Sequence, residues 1–256
     1  MEHFFVDKDS IVRQIWGKAD TVLFIFAGAA AEFALNKAVD WLYFTGRLPA
    51  DPLGRLFSTV TYSRQIIFSG EESALKSIGQ IAAIHKGVEK NRGAQIPDWA
   101  YRDVLFLLID YSIRSFELLE RKLDIAEKKE VFQVFYRVGS RMNLAGLPGS
   151  YDEYCTMRSE HLAQNLVSSK FTIDLYSQYK KHLGMVRYTI LKQVQVILVP
   201  AKVKVLLPIG STRWITPLLV LYKMLKWAGL EKPFKNALLP NAYKEQVKAM
   251  DNDGVF

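Results

Sequence analysis

Residues 51–93 read DPLGRLFSTVTYSRQIIFSGEESALKSIGQIAAIHKGVEKNRG. Asp51-Pro52 opens a helix that runs to about Phe68, where Ser69-Gly70 ends it. Glu71 and Glu72 suit the positive end of a second helix. That helix carries His85 to about Asn91, and Arg92-Gly93 closes it. Arg55 and Thr59 stand four apart and so share one helix face. His85 follows on the next helix, with Ile78, Ile81, Ala82 and Val88 around it at helical spacing. Two readings of this histidine stand open. It is a core imidazole hydrogen-bonded to a carbonyl or hydroxyl, or it is a ligand in a buried haem or metal pocket with Arg55 and Thr59 one helix away. Arg55 and Thr59 equally suit an exposed helix start.

Outward from this pair the helical reading continues. Ser10 is an N-cap for a helix over 10–18, and Asp20 for one running to about Phe44. The small residues 27–31 in that second helix allow a neighbour, or a flat cofactor, to approach closely. Gly28 costs about 1 kcal/mol of helix stability against alanine, so close packing there needs a reason. Thr45-Gly46-Arg47-Leu48-Pro49 breaks the chain. Asp98 reads as the N-cap of a helix over 99–122 that is apolar almost all round, which places it centrally. Further helices are expected at 126–142, 151–166 and 172–183, the last broken by Gly184. The β-branched run 193–207 reads as a helix broken at Pro200. The fold class expected is all-α: one multi-helix globular domain over 1–230 with a buried cofactor pocket, followed by a poorly patterned tail over 231–256.

Half of the 256 residues are hydrophobic, with 15 Phe, 12 Tyr and 5 Trp, which demands a large core or a greasy cavity. A single cysteine, Cys155, rules out a disulfide framework and a cysteine-rich metal site, and reads as a packed small residue. The N-terminal MEHFFVDKDS carries charges where a signal peptide is apolar, so a cytoplasmic location is expected. No apolar run is long enough to span a membrane. The net charge of +8 is uneven: residues 180–235 hold eleven Lys or Arg against Glu231 alone. No RNP block, zinc-finger spacing or basic helix-turn-helix accompanies them, so nucleic acid is not an expected partner. Between Trp214 and Trp227, apolar residues interleave with Lys223 and Lys226, a composition that suits a peripheral membrane contact and equally a terminal helix packed on the core.

The other histidines carry less. His161 has only partial apolar neighbours and reads as structural or exposed; His182 suits a cationic helix end, and His3 is terminal. No His-x-x-x-His, no carboxylate pair with histidine ligands, no Gly-x-Ser-x-Gly and no P-loop appears, which argues against zinc hydrolase, serine esterase and nucleotide-binding readings.

The order Asp51-Pro52, Arg55-Leu56-x-x-Thr59, Gly70-Glu71-Glu72, Ile84-His85-x-x-Val88 resembles the core of the MpaB and latex-clearing-protein family. Ala27–Glu32 upstream fits the family's first core helix. Gly146-Leu147-Pro148 with Tyr151-Asp152-Glu153-Tyr154, then Leu206-Leu207-Pro208 with Arg213, follow in the family's order, so the likeness spans roughly residues 15–228. The resemblance implies an all-helical oxygenase with haem b, its iron held by His85 and dioxygen on the opposite face. Arg55 and Thr59 match the family's functional arginine and threonine beside that face. Arg55 keeps its charge and can polarise dioxygen or pair with a propionate. Latex-clearing proteins carry a lysine before that threonine; here it is Ser58, so a lysine-closed resting state is not expected. Their catalytic glutamate has its nearest counterpart in Asp40, fifteen residues before Arg55. The implied reaction is oxygen-dependent cleavage or oxidation of a C=C bond in an apolar, isoprenoid-like molecule. The alternative is a helical haem- or lipid-binding protein without turnover at a membrane surface.

Overall fold

The computed structural model describes residues 3–46, 50–207, 209–210 and 214–227, apart from the side chain of Leu56. The expected boundary at 230, the tail from Glu231, and Pro208 and Arg213 lie outside these. Eleven α-helices occupy the described residues: α1 (Ile11–Trp16), α2 (Ala19–Phe33), α3 (Asp40–Phe44), α4 (Pro52–Phe68), α5 (Glu71–Arg92), α6 (Asp98–Leu119), α7 (Ile125–Arg141), α8 (Tyr151–Gln164), α9 (Lys170–Leu198), α10 (Ala201–Leu206) and α11 (Ile215–Trp227). Among the described residues there is no strand, only two isolated bridges, Phe4 with Gly70 and Asn36 with Leu166. The chain is an all-helical globular domain.

The apolar run of α6 lies at the centre, as its all-round hydrophobicity requires. It packs most extensively against α2, then against α7, and touches α8, α9 and α1. Gly28 is where α2 and α6 meet. A Cβ there would fall on the Tyr111 ring and within 2.9 Å of Leu198 Cδ2 on α9, so the missing side chain lets three helices converge. Trp16, fully buried, donates Nε1–H to Ser112 Oγ at 3.1 Å and stands edge-on to Phe26, which seats α1 on this pair.

Local chemistry sets the helix ends. Ser10 Oγ accepts from Val12 N–H, Asp51 Oδ1 accepts from Gly54 N–H with Pro52 in the first turn, and Asp124 with Glu127 forms a reciprocal capping box. Two expected caps sit inside their helices instead: Lys18 caps α2 and Pro97 caps α6, leaving Asp20 two positions and Asp98 one position into the first turn. Gly93, at φ 67°, ends α5 in the left-handed conformation that L residues avoid. Pro200 separates α9 from α10, and Gly184 kinks α9 at φ 71°.

One long helix expected from Asp20 to Phe44 is two, α2 and α3. Asn36 causes the break. Its Oδ1 accepts from Ala38 N–H at 2.7 Å, and its Nδ2 donates to Asp103. The flanking backbone turns outward to pair with the end of α8: Lys37 N–H donates to Asn165 O at 3.0 Å and Val167 N–H to Leu35 O at 2.7 Å. Cys155 is a second correction. It is exposed on α8 rather than packed, because the buried face of that helix carries Tyr154, Arg158 and His161.

Candidate functional site

The α4–α5 hairpin brings Arg55 within electrostatic reach of His85, and Ser58 and Thr59 follow Arg55 on α4. Near the start of α4, Ser58 Oγ donates to Arg55 O at 2.8 Å, and the Arg55 guanidinium reaches back to Ser58 Oγ at 3.2 Å. Thr59 Oγ1 donates to the Arg55 carbonyl at 3.3 Å, so its hydroxyl is turned along its own helix. Across the hairpin, His85 is half-buried, its ring edge-on to Tyr101 of α6 with centroids 5.2 Å apart. Its Nδ1 is buried and has no hydrogen-bond partner. Burial pushes the imidazole pKa below its ordinary value and the nearby Arg55 cation lowers it further, against a smaller opposite pull from Glu89. At neutral pH the ring is therefore neutral, the form that donates a lone pair to a metal.

Glu89, one turn on, fixes the surroundings. Its Oε1 accepts from Tyr101 OH at 3.0 Å and from Ile96 N–H at 2.9 Å, clamping the α5–α6 connection. Burial and the Glu89 carboxylate push the Tyr101 phenol up, so it stays a donor. Two turns beyond His85 on the same side of α5, about 10 Å along the axis, Arg92 holds Asp40 at 2.6 Å and lies 3.9 Å over the Trp41 ring. The structure thus strings His85, Glu89 and Arg92 along one face of α5, with Arg55 and Asp40 reaching it from α4 and α3.

The second half of α5 has little to cover it. From Gly79 to Arg92 no residue is buried, Ile84 is 47% exposed, and a Cβ at Gly79 or Gly87 would meet nothing within 4 Å. A histidine with an unpartnered buried nitrogen on a partly apolar, open helix face, beside a fixed cation, is the residue here that would hold the iron of a haem. Two clefts, about 580 Å³ against α7 and about 780 Å³ beside residues 70–76, border the first half of α5, and His85 lines neither.

A second constellation lies wholly inside the protein, and sequence reading missed it. Glu32 of α2 is fully buried. Both its oxygens accept from Arg158 of α8, Oε2 at 2.6 Å, and Oε2 also accepts from Tyr111 OH at 2.9 Å. Arg158 Nη2 bridges on to Asp110 Oδ2 at 2.9 Å. One turn along α8, His161 Nε2 meets Asp103 Oδ1 and lies 3.7 Å from Glu32 Oε1, while Asn165 Nδ2 faces its Nδ1 at 3.1 Å. Asn36 closes the group on the other Asp103 oxygen.

Burial pushes the Glu32 carboxyl up; Arg158 pulls it down, and the neighbouring aspartates add to the rise. Burial also holds Tyr111 protonated as the donor. Glu32, Asp103 and His161 offer three atoms spaced for a metal ion, yet the guanidinium already occupies Glu32 on both oxygens. This is first a polar knot joining α2, α6 and α8. His161 is structural and buried, one of the two readings its sequence allowed. The signal was present: Asp103 and Asp110 recur seven apart on an apolar helix, and Arg158 and His161 three apart on the next but one, each pair on a single face.

The family model described as "ER-bound oxygenase mpaB/B'/Rubber oxygenase, catalytic domain" matches residues 13–231. No curated protein and no solved structure matches.

Proposed function

Because the chain belongs to the mpaB and rubber oxygenase catalytic-domain family, we propose that it is a haem b oxygenase acting on a C=C bond of an apolar, isoprenoid-like substrate. The family membership supports oxygenase chemistry with dioxygen and a second substrate. Haem supplies, when bound, an iron at which dioxygen can be activated. His85 would hold that iron, and the carrying observation is its neutral ring with a buried, unpartnered Nδ1.

Arg55 is the fixed positive charge of the site, and such a charge stabilises negative charge that develops beside it. Thr59 contributes a hydroxyl; turning it from the Arg55 carbonyl toward substrate breaks one 3.3 Å hydrogen bond, a small cost. Asp40 is the proposed proton acceptor. Its carboxylate is paired with Arg92, so taking a proton requires that pair to loosen, which its partial exposure permits. Ser58 has no amine to offer the site. The exposed apolar side chain of Ile84 gives a greasy substrate a surface to lie on.

The visible spectrum of purified, haem-loaded protein tests this reading. A Soret band that collapses in His85→Ala, with the far-UV circular dichroism unchanged, is expected, together with oxygen uptake on adding an unsaturated polyprenyl compound. A band unchanged in His85→Ala transfers ligation to another residue, and no uptake with any polyprenyl favours a haem- or lipid-binding protein without turnover.

A further inference from the structure

Helix α11 buries charge along with apolar surface. Its lysines turn inward: Lys226 Nζ donates to Asp20 Oδ2 at 2.6 Å and to Glu120, and Lys223 Nζ donates to Leu118 O at 3.3 Å. Tyr222 OH also donates to Asp20, at 2.7 Å. Burial alone would lower the Lys226 pKa, but Asp20 and Glu120 outweigh it and hold the amine charged. These contacts bolt α11 to the start of α2 and the end of α6. The opposite face is apolar and open: Leu218, Leu221 and Met224 recur at three-residue spacing, with Val220 beside them and Trp214 just ahead of the helix, all exposed. Of the two readings its composition allowed, a helix packed on the core accounts for Lys223 and Lys226, which point inward. Ile215 and Tyr222 are buried beside the lysines, while Leu218, Val220, Leu221 and Met224 face outward.

The surrounding chain says what fits this face. From Leu175 to Leu230 there is no Asp or Glu, against nine Lys or Arg, of which Lys223 and Lys226 are already engaged inward and Arg213 lies outside the described residues. Lys180, Lys181 and Lys202 among them are exposed, as are Met185, Val186 and Val205. A two-fold contact with a second copy would set this acid-free stretch against itself, which like-charge repulsion disfavours. An anionic surface complements it. At 13 residues α11 is about 20 Å long, short of the roughly 30 Å hydrocarbon core, and no described helix is long and apolar enough to cross a membrane. An occupant must therefore meet α11 side-on.

We propose that the Trp214–Met224 face of α11 docks in the interface of an anionic lipid bilayer, with its side chains among the acyl chains and the acid-free stretch attracting the headgroups. Neither His85 nor haem takes part in this surface.

Flotation of the full chain with vesicles tests it. Binding to phosphatidylcholine vesicles carrying about 30% phosphatidylserine is expected to exceed binding to pure phosphatidylcholine by tenfold or more, and to fall as salt rises from 0.1 to 0.5 M. Leu218→Asp/Leu221→Asp, on an exposed face, is expected to lose at least tenfold in affinity while keeping the wild-type melting temperature and Soret band. Three results overturn the proposal: no binding to the anionic vesicles, equal binding by the double variant, or a dimer in sedimentation that the double variant dissociates without any vesicle affinity in the parent.

Discussion

Replacing Arg158 by methionine isolates the buried ion pair it makes with Glu32. Methionine keeps much of the side-chain volume and removes the guanidinium. Glu32 then stays fully buried with Tyr111 OH as a close donor, and Asp110 keeps its ion pair with Arg114, at 2.8 Å. Removing one partner of a buried pair costs about 3–5 kcal/mol, because the other charge is left uncompensated. For a chain of this size that corresponds to a drop of roughly 6–20 °C in melting temperature.

The pH dependence carries a sign. Burial has already raised the Glu32 pKa above its unfolded value, and losing Arg158 raises it further. Above the unfolded pKa near 4.5 the native variant then binds a proton the unfolded chain does not, so its stability falls as pH rises. The deficit against wild type is expected to be larger at pH 8 than at pH 5. Glu32→Gln/Arg158→Met removes both charges and is expected to recover much of the loss. Thermal and urea unfolding at the two pH values are the assays. A deficit under 1 kcal/mol, one independent of pH, or a double variant as unstable as the sum of the singles would refute the reasoning.

The remaining predictions concern His85 and Gly28. Arg55→Met removes a cation that depresses the His85 pKa, so the ring is expected to titrate higher in the variant, read from imidazole nitrogen shifts by NMR in the haem-free protein. A histidine with a depressed pKa contributes stability above its unfolded pKa of about 6.5 that is lost as pH falls, and Arg55→Met is expected to lessen that loss. Gly28→Ala gains about 1 kcal/mol of helix propensity. Its methyl collides with Tyr111 and Leu198, however, and overpacking costs about 1–3 kcal/mol. A net drop in melting temperature is expected, with the helix content unchanged by circular dichroism.

Helical class, the ends at Ser69-Gly70, Gly93 and Pro200, and the central place of residues 98–119 were legible in the sequence, because propensity, periodicity and chain breakers act within a few residues. So was the hairpin carrying Arg55, Thr59 and His85. The break after Phe33 was not, because it depends on Asn36 finding Asp103 and on backbone partners in 165–167, all far along the chain. The knot of Glu32, Asp103, Arg158 and His161 was hidden for the same reason: each residue reads alone as an oddity, and only the packing of α2, α6 and α8 makes them partners. Composition likewise located the lysines of α11 but not which way they point. That direction was decided by Asp20 and Glu120, carboxylates from two other helices whose charge a buried lysine head must meet. Periodicity marks the faces of a helix; the charges on its neighbours determine which face turns inward.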